Sequence, residues 1–180
     1  GTVEPRRGYI EAIGEFLRYR DAGGAGRLLI VGKAGSESGS ILQLIQKAGP
    51  SIVWMDDVDD GQLSIAYKRA LAVVCASRIE GYGMSVSEGL AHNGLVFANR
   101  LPVFGEFAGA LPYYFDIDRT GDLARLLTVT PDLKRPSVIT RLGSWQKTAL
   151  EIAKGLTTIS RSHGRHQAIE ITRNSAEAVR

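Results

Sequence analysis

Glu80 and Glu88 stand eight positions apart in "EGYGMSVSE", on either side of a turn with glycine at 81 and 83. Carboxylates so placed can accept hydrogen bonds from neutral hydroxyls or pair with cations. Gly81 and Gly83 remove side chains where the backbone turns tightly, and they let a ligand approach main-chain N–H groups. The helix-like run that follows begins near Met84 or Ser85. Its first N–H groups lack internal partners and its dipole presents partial positive charge, so phosphate binds there without a metal. From about one turn inside that helix, Glu88 can accept from ribose hydroxyls. Glu80, on the incoming loop, can meet a second sugar. The arrangement suits a ligand built as sugar, phosphates, second sugar. Spacing alone leaves two other readings open: plain architecture, since Glu near a helix start is favourable without a ligand, and some other phosphorylated ligand.

The elements that must hold these residues alternate along the chain. "GYIEAIGEFLRYRDAG" predicts a helix with Ile10, Ile13, Phe16 and Leu17 on one face. "RLLIVGK" is a short apolar run of the kind buried on both sides in a parallel sheet. "GSILQLIQKAG" predicts a helix with Ser40 as N-cap, "SIVWM" a strand, and "DDGQLSIAYKRA" a helix turning Leu63, Ala66, Tyr67 and Ala70 inward. "LAVVCAS" is the strand before the glycine turn, and "SVSEGLAHN" the helix after it, closed by Asn93-Gly94. "LVFAN" is a strand, "PVFGEFAG" a short helix or turn, "PYYFD" an edge strand, and "RTGDLARLLTV" a helix starting near Thr120 or Asp122. A last helix is expected from Pro136 to Ala153. Strands alternating with helices imply right-handed βαβ units, so the expected fold is α/β, a Rossmann-like doubly wound parallel sheet. In such sheets ligands bind outside the carboxyl ends of the strands, where residues 77–85 fall. Residues 1–153 are expected to form this Rossmann-like domain, a nucleotide-sugar-binding one on the first of the three readings above. Residues 154–180 break the rhythm and read as a basic, polar extension with at most a short helix.

Composition narrows the possibilities further. The chain has 180 residues, 44% hydrophobic and 23% charged, ordinary values for a globular domain. No apolar stretch approaches the ~18 residues of a membrane-spanning helix. The net charge of +3 lies wholly in residues 154–180, while residues 1–153 carry 17 charges of each sign. The body therefore lacks the electrostatic footprint of a nucleic-acid binder. The basic tail reads as solvated, with contact to anionic lipid as the alternative. Cys75, the sole cysteine, lies in an apolar run and reads as core; that usage suits a reducing, cytoplasmic setting. The opening "GTVEPRRG" reads as the interior of a longer parent.

Competing chemistries find little support. His92, His163 and His166 have no Cys or carboxylate at metal-ligand spacing, and Ser85 and Ser87 lack a partnered His as a serine hydrolase needs. "DDVDD" reads as turn acids and a helix N-cap rather than a metal site. As the phosphoacceptor of a receiver domain it fits poorly, because the later strands end in "ANR" and "YFD". Trp54 and Trp145 read as core or interface residues.

"EGYGMSVSEGLAHNG" resembles the E-x7-E signature of the retaining "group 1" glycosyltransferases of GT-B fold. "GTVEPRRGY" is similar to the first loop of that family's C-terminal half. "SIVWMDDVDDGQLSIAYKRALAVVCAS" and "RLPVFGEFAGALPYYFD" resemble the segments around the signature. The likeness runs in order over about residues 1–153. It implies the donor-binding half of a two-domain enzyme, with a separate N-terminal domain of the same parent supplying most of the acceptor site.

By matching position, the resemblance makes Glu80 the contact to the transferred sugar's hydroxyls and Glu88 the holder of the ribose. The backbone at Gly81, Gly83, Met84 and Ser85 would hold phosphate and sugar. Arg7 takes the place of a basic residue, commonly Lys, that neutralises the leaving diphosphate, and Arg6 shares that work. Lys33, Asp57 and Val58 would border the nucleobase, although Lys33 reads equally well as an ordinary surface lysine. Thr2 departs from the Arg that many relatives carry there, and Arg7 offers a planar fork where Lys offers a point charge. The implied reaction moves a sugar from a nucleotide-diphosphate sugar to a saccharide or lipid-linked acceptor with retention, without metal or cofactor. The implied location is cytoplasmic or peripheral at the inner face of the membrane. A non-catalytic Rossmann-like module for nucleotide or partner binding is the alternative.

Overall fold

The computed structural model describes residues 1–92 and 94–136. The expected helix to Ala153, residues 154–180, Trp145, His163, His166 and Asn93 lie outside the described residues. Among the described residues five strands and six α-helices alternate: α1 (Tyr9–Asp21), β1 (Leu28–Val31), α2 (Gly39–Lys47), β2 (Ile52–Met55), α3 (Asp60–Arg69), β3 (Ala72–Cys75), α4 (Met84–Ala91), β4 (Leu95–Asn99), α5 (Pro102–Ala108), β5 (Tyr113–Phe115) and α6 (Asp122–Val129). All strand pairings are parallel. The Rossmann-like α/β expectation holds.

The strands fall into two hydrogen-bonded groups, β1-β2 and β3-β4-β5. Leu28 aligns with Ile52 in the first group; in the second Val73 aligns with Val96, and Phe97 with Tyr113. β4 is buried along its whole length, as its unbroken apolar sequence requires of a central parallel strand. Its side chains alternate between two cores. Val96 and Ala98 pack with Val86, Leu90 and Phe104 of α4 and α5, whereas Leu95 and Phe97 pack with Phe115, Leu123 and Leu126. Helices therefore cover both faces of this group. A further core of Val3, Ile13, Phe16, Ile30, Ile41, Ile45 and Ile52 joins α1 and α2 to β1 and β2. The outer edges of β1, β2, β3 and β5 have no strand partner among the described residues, and β1 departs from the expected burial on both sides, with Leu29 42% exposed.

Local signals explain most element starts. Asp59 opens α3 with a reciprocal capping box: its carboxylate accepts from the Gln62 N–H at 2.7 Å, and the Gln62 side chain accepts from the Asp59 N–H at 3.1 Å. The reading of this acidic stretch as cap and turn holds at Asp59. The start of α2 differs from expectation. Ser38, not Ser40, is the flanking residue, and its hydroxyl turns back to the Gly35 carbonyl at 2.8 Å. Ile10, expected inward, is exposed in the first turn of α1. Buried Glu15 of α1 receives the N–H groups of Gly121 at 2.8 Å and Ala124 at 3.1 Å. Its carboxylate thereby caps the N-terminus of α6 from across the fold.

Candidate active site

β3 delivers the chain to the turn. Just past its end, Ser77 is buried, and its carbonyl accepts from Asn99 Nδ2 at 2.9 Å. Asn99 Oδ1 accepts the N–H groups of Arg100 and Ile117 at 3.0 and 3.1 Å. One buried amide side chain thus braces the carboxyl ends of all three strands of this sheet. Beyond Ser77 the chain crosses Glu80 and reaches Gly83, the residue before α4. Gly83 adopts the left-handed conformation, φ 88°, and a Cβ there would meet the ring of Phe104 at 2.3 Å. Only glycine fits both conditions. The carbonyl of Gly83 takes the N–H groups of Val86 and Ser87, while those of Met84 and Ser85 precede any helical acceptor. Tyr82 stacks on Phe107 of α5, ring centroids 4.9 Å apart, and steadies the turn from outside.

A second segment meets the turn. Residues Pro5–Arg7 form a single 3-10 turn that ends at Gly8, φ 68°. A Cβ on Gly8 would lie 2.1 Å from the Ala76 carbonyl oxygen, so glycine permits this docking onto the end of β3. The Arg78 N–H closes it by donating to the Arg6 carbonyl at 2.9 Å. The same segment is tied to β1: the Val3 N–H donates to the Lys33 carbonyl at 2.8 Å, and Val3 pairs with Ala34 in a parallel bridge. Residues 1–8 therefore touch the carboxyl ends of strands from both groups.

This docking brings Arg7 onto Glu80. Arg7 Nη1 donates to Glu80 Oε1, which also accepts from the Ser77 hydroxyl at 2.9 Å. Arg7 Nε is buried and has no hydrogen-bond partner among the described residues, an uncommon state for a charged donor. Glu88, on α4, accepts from the Tyr67 hydroxyl of α3 at 2.8 Å through Oε2. Burial lifts the Cys75 thiol to about 12, and the thiol also feels Glu80, Arg7 and Glu88. Burial also lowers the Gly1 amino group, on which Arg7, Glu88 and Glu80 act as well. The two glutamates and Arg7 thus share one electrostatic neighbourhood at the end of β3. Cys75 remains a protonated core thiol there.

The other expected residues lie on the segments that flank the strand ends and at the start of α4. Met84 is exposed and Ser85 half-buried at the start of α4, and Gly81 is exposed with open space around its Cα. Arg6 is exposed and its guanidinium is held by Glu4 at 2.8 Å, apart from the Arg7–Glu80 pair. Lys33 is exposed after β1, and exposed Asp57 and half-buried Val58 lie between β2 and α3. Among the described residues no three His, Cys, Asp or Glu side chains gather as a metal site, and no helix is long and apolar enough to cross a membrane. A separate hollow of about 270 Å³, lined by Arg78, Asn99, Arg100 and Asp116 among others, opens at the ends of β3 to β5. Arg78 is committed there to Glu11 and Asp118, each at 2.8 Å. Ser77, Asn99 and Tyr67 escape sequence reading, because each acts through a partner remote in sequence.

The fold and its strand-end cluster define a Rossmann-like α/β domain of the GT-B type. The chain belongs to the group 1 glycosyl transferases, whose family model matches residues 1–112. It is 29% identical over 128 residues to the serotype-specific mannosyltransferase WbdA of Escherichia coli, covering 69% of this chain and 16% of that protein. The chain therefore spans about a sixth of the length of that relative. Among solved structures, sucrose-phosphate synthase from Thermosynechococcus elongatus aligns with TM-score 0.74 at 19% identity, over 90% of this chain and 44% of the other. HepE of Anabaena, solved in complex with UDP and glucose, aligns with TM-score 0.60 at 18% identity, over 73% and 37%. At these identities the structures speak to the fold.

Proposed function

We propose that this chain is the donor-binding half of a retaining hexosyltransferase. In this reading it takes a sugar from a nucleotide-diphosphate sugar and passes it to a saccharide or lipid-linked acceptor held largely by another domain of the same parent. The observation that carries the reading is the meeting of Arg7, Glu80 and the open amide end of α4 at the end of β3. The mannosyltransferase relative supports transfer of a hexose, and the structure with bound UDP and glucose supports a nucleotide-sugar ligand for this fold.

Each group then has a task. The N–H groups of Met84 and Ser85 face the diphosphate. Arg7 and Glu80 neutralise each other until a donor arrives; the diphosphate draws on Arg7, including its unpartnered Nε, and the sugar's hydroxyls take over Glu80. As the bond to diphosphate breaks, negative charge grows on the leaving group, and a fixed guanidinium with aligned amides stabilises it. Glu88 holds the ribose. Arg6, Gly81, Gly83, Lys33, Asp57 and Val58 complete the donor side, and no metal or cofactor takes part. A cytoplasmic site of action, at or near the inner membrane face, suits a lipid-linked acceptor.

Glu80→Gln and Glu88→Gln in the full-length protein test this. Both variants should stay folded by circular dichroism and lose most sugar transfer. Unchanged transfer in both would overturn the reading in favour of a non-catalytic module. Calorimetry with UDP, GDP and ADP adds a direct arm: no heat at millimolar ligand from folded protein would count against a donor site.

A further inference from the structure

The two glutamates of the site are held in different ways. Glu80 is paired with a cation and a buried hydroxyl. The only side chain that bonds Glu88 among the described residues is a neutral phenol, Tyr67, on Oε2. A neutral donor fixes a carboxylate without cancelling its charge. Oε1 is left as an acceptor at full strength.

Tyr67 is itself held. Its ring stacks on His92, centroids 5.2 Å apart and planes 22° from parallel. His92 is fixed at both nitrogens. Nδ1 lies 2.8 Å from the Glu88 carbonyl oxygen, which only accepts, so Nδ1 carries the proton. In the neutral ring Nε2 then accepts from the Ser64 hydroxyl at 3.1 Å. Burial first, and then the bond to Glu88 and its charge, push the Tyr67 phenol well above its usual range, so it remains a donor at any physiological pH.

We infer that Tyr67 is the positioning residue for the ribose carboxylate. Held by His92, which Ser64 in turn fixes, it sets the rotamer of Glu88 so that the free oxygen meets the vicinal hydroxyls of a ribonucleoside diphosphate. This rests on the donor-site reading above. It adds that discrimination between ribose and deoxyribose originates in the contact between α3 and α4, outside the signature turn. A plain structural role for the pair would show up in stability and leave sugar discrimination alone.

The test is Tyr67→Phe in the full-length protein, which keeps the ring stack and removes the donor. Binding of UDP, GDP and ADP and of their 2′-deoxy counterparts would be measured by calorimetry, with melting temperature alongside. Because Tyr67 acts through Glu88, the expected loss is the net worth of an ordinary hydrogen bond, which lowers ribonucleotide affinity roughly three- to tenfold. The 2′-deoxy analogue should lose much less, so the preference for ribose shrinks towards one. His92→Ala, which removes the stack but leaves the phenol, should shrink it partway. If wild type prefers ribose and Tyr67→Phe keeps that preference, the Tyr67 role is overturned while the donor site stands, even when stability falls. If wild type binds none of the nucleotides, or shows no ribose preference, the assignment of Glu88 falls and the Tyr67 role with it.

Discussion

Replacing Gly83 with alanine should destabilise the protein, whereas the same change at Gly81, two residues earlier, should not. Gly83 has φ 88°, and a methyl there would sit 2.3 Å from Phe104 Cε1. A non-glycine residue in the left-handed region costs about 1–2 kcal/mol. Phe104 is 1% exposed and packs edge-on against Phe107, centroids 6.3 Å apart, so the ring has no free direction of retreat. Such overpacking costs about 1–3 kcal/mol. Together the two terms amount to roughly 2–5 kcal/mol, a large share of the ~5–15 kcal/mol stability of an ordinary domain. Gly81 has no positive φ, and nothing lies within 4 Å of where a methyl would sit, so Gly81→Ala should stay within about 0.5 kcal/mol of wild type. Urea unfolding followed by circular dichroism separates the two: the midpoint of Gly83→Ala should fall by on the order of 1–2 M. The reasoning is refuted if Gly83→Ala unfolds with wild type, or if Gly81→Ala is equally damaging. On the donor-site proposal, Gly81→Ala should still weaken nucleotide binding in calorimetry, because the proposed ligand approaches over that position.

Three further outcomes follow from the same geometry. Arg7→Met in the full-length protein should lower kcat by about 10²–10³, the scale for removing one group that stabilises developing negative charge; Arg7→Lys should recover part of it, and equal loss in both would argue against a purely electrostatic role. Glu15→Ala strands the Gly121 and Ala124 N–H groups and should cost about 2–4 kcal/mol of unfolding free energy, read by urea denaturation, with no change expected in nucleotide affinity. The Asp122 carboxyl is held below its usual range, first by the Asp116 N–H and then by Arg125. Its contribution to stability is therefore full above the unfolded value of 3.8 and is lost as pH falls through the depressed folded value. Asp122→Asn should lower the melting temperature near neutral pH and converge with wild type in acid.

Sequence reading succeeded where one local cause decides the outcome. The apolar runs of β1 and β4 do form strands of a parallel sheet, although the two-sided burial expected of β1 fails at exposed Leu29, and Asp59 with Gln62 three residues on is a helix start that tertiary structure had no reason to override. The signature turn was legible because glycine, helix start and carboxylate recur at short spacing. It failed where the deciding partner is distant. Glu15 looks like an ordinary helix-surface glutamate until α6 arrives over it, 106 residues later. Glu88 read as a ligand contact, but its 21-residue link to Tyr67 left no local trace. Ser40 was the wrong cap because an equally suitable serine stands two positions earlier and the backbone turns there. The division of the strands into two hydrogen-bonded groups depends on what lies beside β1 and β3, and no window of sequence reports that.

That division has a practical consequence for handling the protein. Sheet edges without a strand partner among the described residues, one bearing the uncharged run "LLIV" with Leu29 open to solvent, are templates for strand addition from other molecules. An exposed apolar strand edge of this kind favours self-association as protein concentration rises.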